Sequence, residues 1–191
     1  MLSVLVIDES RTRAAEICAG LAVAGHQVAA ILAGADNLTA EVQKLQPDVI
    51  IIDTDCPTRD TLEHLAAMHK DMPRPVVMFS SGSEDEAIRA AVKAGVSAYV
   101  VDGLDTRRLK GIIDVARASF DEFQALRHEL AQATRTLSAR KVVERAKGVL
   151  MKARGLDEEG AYHALRKLAM QRSQPIVVVA RDVIDMAHLF L

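Results

Sequence analysis

The 191-residue chain is half apolar, enough to bury one substantial core with an appendage or two modest cores, and this excludes a disordered protein. Aromatic residues amount to 3% with no Trp, so packing must be aliphatic and helix-rich; Cys18 and Cys56, with no His or Cys neighbour at ligand spacing, exclude a zinc module or disulfide framework. The formal charge of −2 hides an asymmetry: residues 1–137 hold 14 basic and 20 acidic side chains and residues 138–191 hold 10 and 6, so the two regions are expected to meet different partners.

Five aliphatic runs recur along the first hundred residues: "LSVLVI" from Leu2, "HQVAAIL" from His26, "DVIIID" from Asp48, "PVVMFS" from Pro75 and "SAYVV" from Ser97. Their length and β-branched content predict strands buried on both faces. Between them, "RTRAAEICAGLAVAG" and "EDEAIRAAVKAGV" have helical spacing, and Gly25 and Gly95 suit their C-caps. This alternation predicts an α/β fold, a doubly wound five-stranded parallel sheet over residues 1–120, with ligands at the C-terminal ends of the strands.

Polar residues fall at those ends: Asp8 and Glu9 after the first strand, Asp53 after the third, Ser80 and Ser81 after the fourth. Singly, each acid also suits a solvated turn or a helix N-cap. Together the carboxylates repel one another and favour a divalent cation with hard oxygen ligands, most plausibly Mg²⁺. A metal-bound carboxylate can also accept a phosphoryl group.

From Asp105 a long helix is predicted. Leu109, Ile113, Ala116, Phe120, Phe123, Leu130 and Leu137 follow a four-three alternation, interrupted by the polar Arg127 and Thr134. This is a coiled-coil seam and predicts a homodimer, with residues 121–137 as the connector. Leu109 to Ala116 are expected to turn back on the sheet.

Residues 138–191 read as a three-helix bundle. Ser138 is expected to cap a helix that runs to about Arg154 and buries Val142, Val143, Ala146, Val149, Leu150 and Ala153, and Gly155 stops it. Asp157, with Glu158 and Glu159, opens a second helix, and a third follows a loop at 173–175. The basic positions are Arg140, Lys141, Arg145, Lys147, Lys152 and Arg166, of which Lys141, Arg145 and Lys152 share a face opposite the apolar one, and Tyr162 is the nearby aromatic platform. Phosphate neutralisation with base stacking is what unpaired RNA requires, though basic helix faces are also commonly just solvated.

The stretches "VLVIDE", "PDVIIIDTDCPTRD", "VVMFSSGS" and "AGVSAYVV" make residues 1–120 resemble a response-regulator receiver domain. The resemblance implies a flavodoxin-like fold with Asp53 as phosphoacceptor and Asp8 and Glu9 as the acidic pocket. It further implies Mg²⁺ held by Asp8, Glu9, Asp53 and the backbone carbonyl of Asp55, with Ser80 and Tyr99 sensing the phosphoryl group. One stretch departs from the pattern: "AYVVDGL" puts Asp102 and Gly103 where receivers carry Lys-Pro. A carboxylate there destabilises a phosphorylated product, and Arg107 or Arg108 is the expected source of a replacement cation.

The stretch "VERAKGVLMKARGLDEEGAYHALRKLAMQRS", Val143 to Ser173, resembles the ANTAR domain, the RNA-binding module of the AmiR and NasT antitermination regulators. With "DTDCPTRDTLEHL" and "AYVVDGL", the pattern looks most like the NasT type. That implies a cytoplasmic, non-enzymatic regulator with no required cofactor. It would bind tandem hairpins in leader mRNA and control nitrate and nitrite assimilation genes through a nitrate sensor related to solute-binding proteins. The alternative is a phosphorylation-controlled two-component regulator with a DNA-binding output domain, against which "ARDVIDMAHLFL" is too apolar and acidic for a recognition helix. A flavodoxin-like enzyme is opposed by the lack of a Gly-rich phosphate loop or nucleophile elbow and by six scattered histidines.

Overall fold

The computed structural model describes residues 1–82, 84–101 and 105–190, the side chains of 188–190 excepted. The chain divides into two compact units, Met1–Gln124 and Ala125–Leu191.

In the first unit β1 (Ser3–Asp8), β2 (Gln27–Leu32), β3 (Val49–Thr54), β4 (Val76–Ser80) and β5 (Ala98–Val101) form one parallel sheet in the order β2-β1-β3-β4-β5. The period-two alternation of a strand sorts its aliphatic residues into two cores. Leu5, Ile7, Ile50, Ile52 and Met78 meet Leu38 and Val42 of α2 (Leu38–Leu45), Leu65 and Met68 of α3 (Arg59–Asp71) and Ala91 of α4 (Asp85–Lys93). Val4, Val6, Val49, Ile51, Val77 and Phe79 face the other way, onto Ile17 and Leu21 of α1 (Arg11–Val23) and Leu109, Ile113 and Ala116 of α5 (Leu109–Arg154). Both faces are covered, which is why β1, β3 and β4 read as continuous hydrophobic runs. The outer strands correct the expectation of full burial: β2 and β5 are mostly half-buried, because an edge strand has a neighbour on one side only.

Gly95 closes the turn after α4 at φ +103°, and a Cβ built on it would stand 2.6 Å from Cγ of the buried His69 on α3. His69 in turn meets Phe120 of α5 edge-on, with ring centroids 5.9 Å apart. The glycine is therefore required twice, by its backbone conformation and by the close approach of the imidazole.

In the second unit the structure corrects the expected helix start at Ser138. Helix α5 runs unbroken through it, and Ser138 is an exposed mid-helix residue. No Gly or Pro stands between Gly111 and Gly148, so no residue ends the helix there. Gly155, at φ +64°, does end it. Asp157 then caps α6 (Glu158–Arg172), its carboxylate accepting from the Gly160 N–H at 2.8 Å. Ser173 at φ +52° closes α6, and Pro175 precedes α7 (Ile176–Phe190). Ala146, Leu165, Ala169, Val179, Ala180 and Ile184 form the core of the bundle, with Val142, Val143, Leu150, Leu168 and Val183 against it. Ala153, expected inside, is exposed in the last turn of α5.

The four-three seam of α5 also divides. Leu109, Ile113 and Ala116 are fully buried against the sheet, whereas Leu130 and Leu137 are 69% and 58% exposed.

Gly95→Ala is expected to destabilise the first unit by roughly 2 kcal/mol or more, through strain and the clash with His69. Gly25→Ala, at φ +77° but with open space around it, is expected to cost about 1 kcal/mol. Urea unfolding followed by far-UV circular dichroism separates the two.

Candidate functional site

The parallel register sets Asp8 of β1 opposite Asp53 of β3. This is the point where the chain leaves the sheet toward opposite faces, the place such folds use for ligands. Asp8 is buried; its Oδ1 accepts from the Ser10 N–H at 2.7 Å, and its Oδ2 is buried without a hydrogen-bond partner among the described residues. Burial raises the Asp53 carboxyl above the ordinary carboxylate range, with the Arg13 guanidinium pulling the other way and the Asp8 and Asp55 charges adding to the rise.

The cation in this pocket comes from α1. Ser10 caps that helix, accepting from the Arg13 N–H, and one turn in, Arg13 reaches back across the strand ends. Its Nη1 donates to Asp55 Oδ1 at 2.8 Å, its Nη2 lies 3.6 Å from Asp8 Oδ1 and its Nε lies 3.6 Å from Asp53 Oδ2. The hydrogen bond to Asp55, with the charges of Asp53 and Asp8, raises the Arg13 pKa further above its already high value. Arg107, expected to supply a cation, instead pairs with Asp105, its Nε 3.1 Å from Asp105 Oδ1. Asp102 and Gly103 lie outside the described residues.

Arg13 is the residue that inspection of the sequence missed, and a signal for it was present. The first turn of α1 contains no acid and instead carries Arg11 and Arg13. A cation opposes the helix macrodipole there unless carboxylates surround it.

The hydroxyl and aromatic positions are brought together beside the pocket. Ser80 is buried and faces Thr54 in the strand register; its Oγ donates to the Asp55 carbonyl at 3.1 Å and accepts from the Gly82 N–H at 3.1 Å. Ser81 Oγ donates to the same carbonyl at 3.1 Å, and Tyr99 donates its hydroxyl to the Gly82 carbonyl at 3.2 Å. The loops after β3 and β4 are thus joined through side-chain hydroxyls.

These residues do not fit Mg²⁺ as they stand. Their oxygens are of the right type, but Mg²⁺ demands ligands converging at about 2.1 Å. Glu9 is exposed, the Asp55 carbonyl already accepts from two serines, and a guanidinium stands among Asp8, Asp53 and Asp55. Among the described residues no three acidic, His or Cys side chains gather as a metal-ligand group.

In the second unit Arg140, Lys141, Arg145, Lys152, Tyr162 and Arg166 are all exposed. Lys147 is the exception and is corrected. It is buried, and its ammonium donates to Glu144 at 2.9 Å and Glu158 at 2.7 Å, tying α5 to the start of α6. Its aliphatic stem lies in the core boundary while its head reaches carboxylates at the rim, so it supports the bundle and offers no charge to an anion. The pairing raises the Lys147 pKa and holds Glu158 below the ordinary range, the hydrogen bond between them being the main cause of both.

A cleft of about 1430 Å³ opens among α5, α6 and α7. Val149, Leu150, Leu165, Leu168, Val183 and Met186 give it an apolar lining, and Arg145, Lys152, Arg154, Lys167 and Arg172 give it cations. The acid there, Asp182, pairs with Arg172 at 3.0 Å. The structure therefore gathers Arg145 and Lys152 with three cations that sequence reasoning did not single out, while Arg140, Lys141, Tyr162 and Arg166 lie outside this cleft.

Two protein families match this chain: the response regulator receiver domain over residues 4–114 and the ANTAR domain over residues 131–184. The Transcriptional regulatory protein PdtaR of Mycobacterium tuberculosis is 32% identical over 146 residues, covering 76% of this chain and 70% of that protein. The Nitrate regulatory protein of Klebsiella oxytoca is 37% identical over 89 residues, covering 47% of this chain and 22% of that protein. Among solved structures, the signal receiver domain of a modulated diguanylate cyclase from Desulfovibrio desulfuricans superimposes with a TM-score of 0.56 at 20% identity, covering 63% of this chain and 97% of that domain. The response regulator domain of Thermotoga maritima CheB does so with a TM-score of 0.52 at 22% identity, covering 63% and 97% respectively. At these identities the structural likeness shows the fold.

Because burial raises the folded-state pKa of Asp53, its contribution to stability is present at low pH and is lost as pH rises through that pKa. Asp53→Asn is therefore expected to be more stable than wild type at neutral pH, with the gain vanishing as the solution is acidified; thermal melts across pH test this. Lys147→Ala is expected to destabilise the second unit through lost stem packing, and Lys147→Met much less, since the carboxylates it pairs with are exposed. Chemical unfolding of the two variants gives the comparison.

Proposed function

Since the chain belongs to the response regulators that join a receiver domain to an ANTAR domain, we propose that it controls transcription by binding hairpins in leader RNA and preventing termination. It acts by recognition and not by catalysis. The observation that carries this reading is the exposed face of α5 that holds Lys141, Arg145 and Lys152, with Arg140 also exposed on that helix, continued by the cationic, apolar-lined cleft. Cations neutralise phosphates, and an apolar floor and an exposed Tyr162 suit unpaired bases better than the stacked interior of a duplex.

The active species is a homodimer. Leu130 and Leu137 stand one heptad apart and exposed on α5, and a second copy of that helix would bury them as a coiled-coil seam. Two copies present two basic modules, which matches tandem hairpins. No helix among the described residues is long and apolar enough to cross a membrane, in keeping with a regulator that meets nascent transcripts in the cytoplasm.

Asp53 stands at the phosphoacceptor position, but control runs through a partner protein docking on the receiver domain. The support is the charge of its surroundings: Asp102 in the sequence where a receiver has lysine, and Arg13 already engaged with the carboxylates. Nitrate and nitrite assimilation genes, read through a nitrate sensor related to solute-binding proteins, are the target class. The similarity to the Nitrate regulatory protein supports this; the relative that matches over more of this chain is named as a transcriptional regulator without mention of nitrate.

The test is binding of the full-length protein to a two-hairpin leader RNA and to duplex DNA at several salt concentrations. Tight, salt-dependent binding to the RNA is expected, unchanged by Asp53→Ala or by a small phosphoryl donor. Lys141→Ala and Lys152→Ala together should lower affinity about tenfold and reduce the slope of log K against log salt by about one each, while Lys147→Met leaves it unchanged. Preference for duplex DNA, or binding that appears only after phosphorylation, refutes the proposal in favour of a DNA-binding two-component regulator.

A further inference from the structure

The strand-end carboxylates of the receiver domain come with a cation of their own. We infer that Arg13 is the resident counter-ion of this pocket, standing in for a divalent metal ion, so that the receiver keeps its acids together without metal. Three nitrogens of one guanidinium each face a different carboxylate: Nη1 is 2.8 Å from Asp55, Nη2 is 3.6 Å from Asp8 and Nε is 3.6 Å from Asp53.

Size decides between the two cations. Mg²⁺ is compact and draws its oxygens together at about 2.1 Å. A guanidinium is a planar, delocalised cation that can bridge carboxylates that remain apart. Here the acids are spread, with no three-ligand group among the described residues, and the arginine spans them. The carbonyl of Asp55 is likewise committed, accepting from Ser80 and Ser81 at 3.1 Å each.

The position of Arg13 is independent support. The first turn of a helix repels a cation, and the α1 N-terminus holds this one in place because carboxylates lie on three sides of it. Toward Asp8 and Asp53 the contact is coulombic: among the described residues Arg13 Nε and Asp8 Oδ2 are buried with no hydrogen-bond partner, and the direct hydrogen bond goes to the exposed Asp55. That bond is the anchor of the side chain, so loosening it should open the pocket to metal. Neither the RNA reading nor the dimer enters into this inference.

Mn²⁺ is titrated into the full-length protein, followed by electron paramagnetic resonance of the free ion and by calorimetry, with Mg²⁺ as competitor. Wild type is expected to show only weak, non-saturating binding. Arg13→Met, which keeps the stem and removes the charge, is expected to gain a saturable site at least about tenfold tighter, which Asp8→Asn in the same background abolishes. Asp55→Asn leaves the backbone carbonyl, Asp8 and Asp53 in place and should give an intermediate affinity. Equal metal affinity in wild type and Arg13→Met, or no gain in Arg13→Met, overturns the inference. If circular dichroism shows Arg13→Met to be unfolded, Asp55→Asn decides: tighter Mn²⁺ binding than wild type supports the resident cation and unchanged binding overturns it.

Discussion

The parallel pairing of β1 with β3 brings Asp8 beside Asp53, and much of the receiver unit is arranged around the charge this concentrates. The strands are flanked by aliphatic layers on both faces, so the carboxylates at their ends sit on the edge of a low-dielectric core. A buried charge is tolerated when it is paired. Arg13 supplies the pairing from the next element in the chain, and the hydroxyls of Ser80, Ser81 and Tyr99 tie the neighbouring loops across the same edge. The result is a cluster of acids held beside a cation of the same chain.

The second constraint is the continuity of α5. One helix begins on the sheet, where Leu109, Ile113 and Ala116 are buried, and ends in the bundle, where Ala146 is buried. What changes along it is the surface: apolar toward the sheet, then a sparse leucine seam, then a basic face beside the bundle core. Each stretch presents a different chemistry.

The run of basic residues in the sequence did not by itself define which cations are exposed. Lys147 occurs in the same run as Arg145 and Lys152, yet helical geometry turns it toward α6, where Glu158 meets it across the bundle. Conversely Lys167 and Arg172 on α6 come to the same cleft as residues of α5, although some twenty positions separate them in sequence. The charge pattern along one helix reports exposure only when the neighbouring helices are known.

The strands, the doubly wound parallel class, the caps at Asp157 and Gly155 and the acids at the strand ends were legible in the sequence, because they rest on the strand–helix alternation, local periodicity and the conformational limits of single residue types, whereas the order β2-β1-β3-β4-β5 was not. Asp8, Asp53 and Ser80 could be named because strand ends are set by where each aliphatic run stops, whereas Tyr99, inside β5, was named through the resemblance to receiver domains alone. Tertiary structure alone decided which cation reaches those acids, whether β2 and β5 lie at an edge, and which lysine is buried. It also left the helix unbroken at Ser138, where a good capping residue had no breaker beside it to make a cap. Those outcomes depend on distances between residues remote in sequence, and a charge on a long flexible side chain is placed by the partners that surround it, not by its position in the chain.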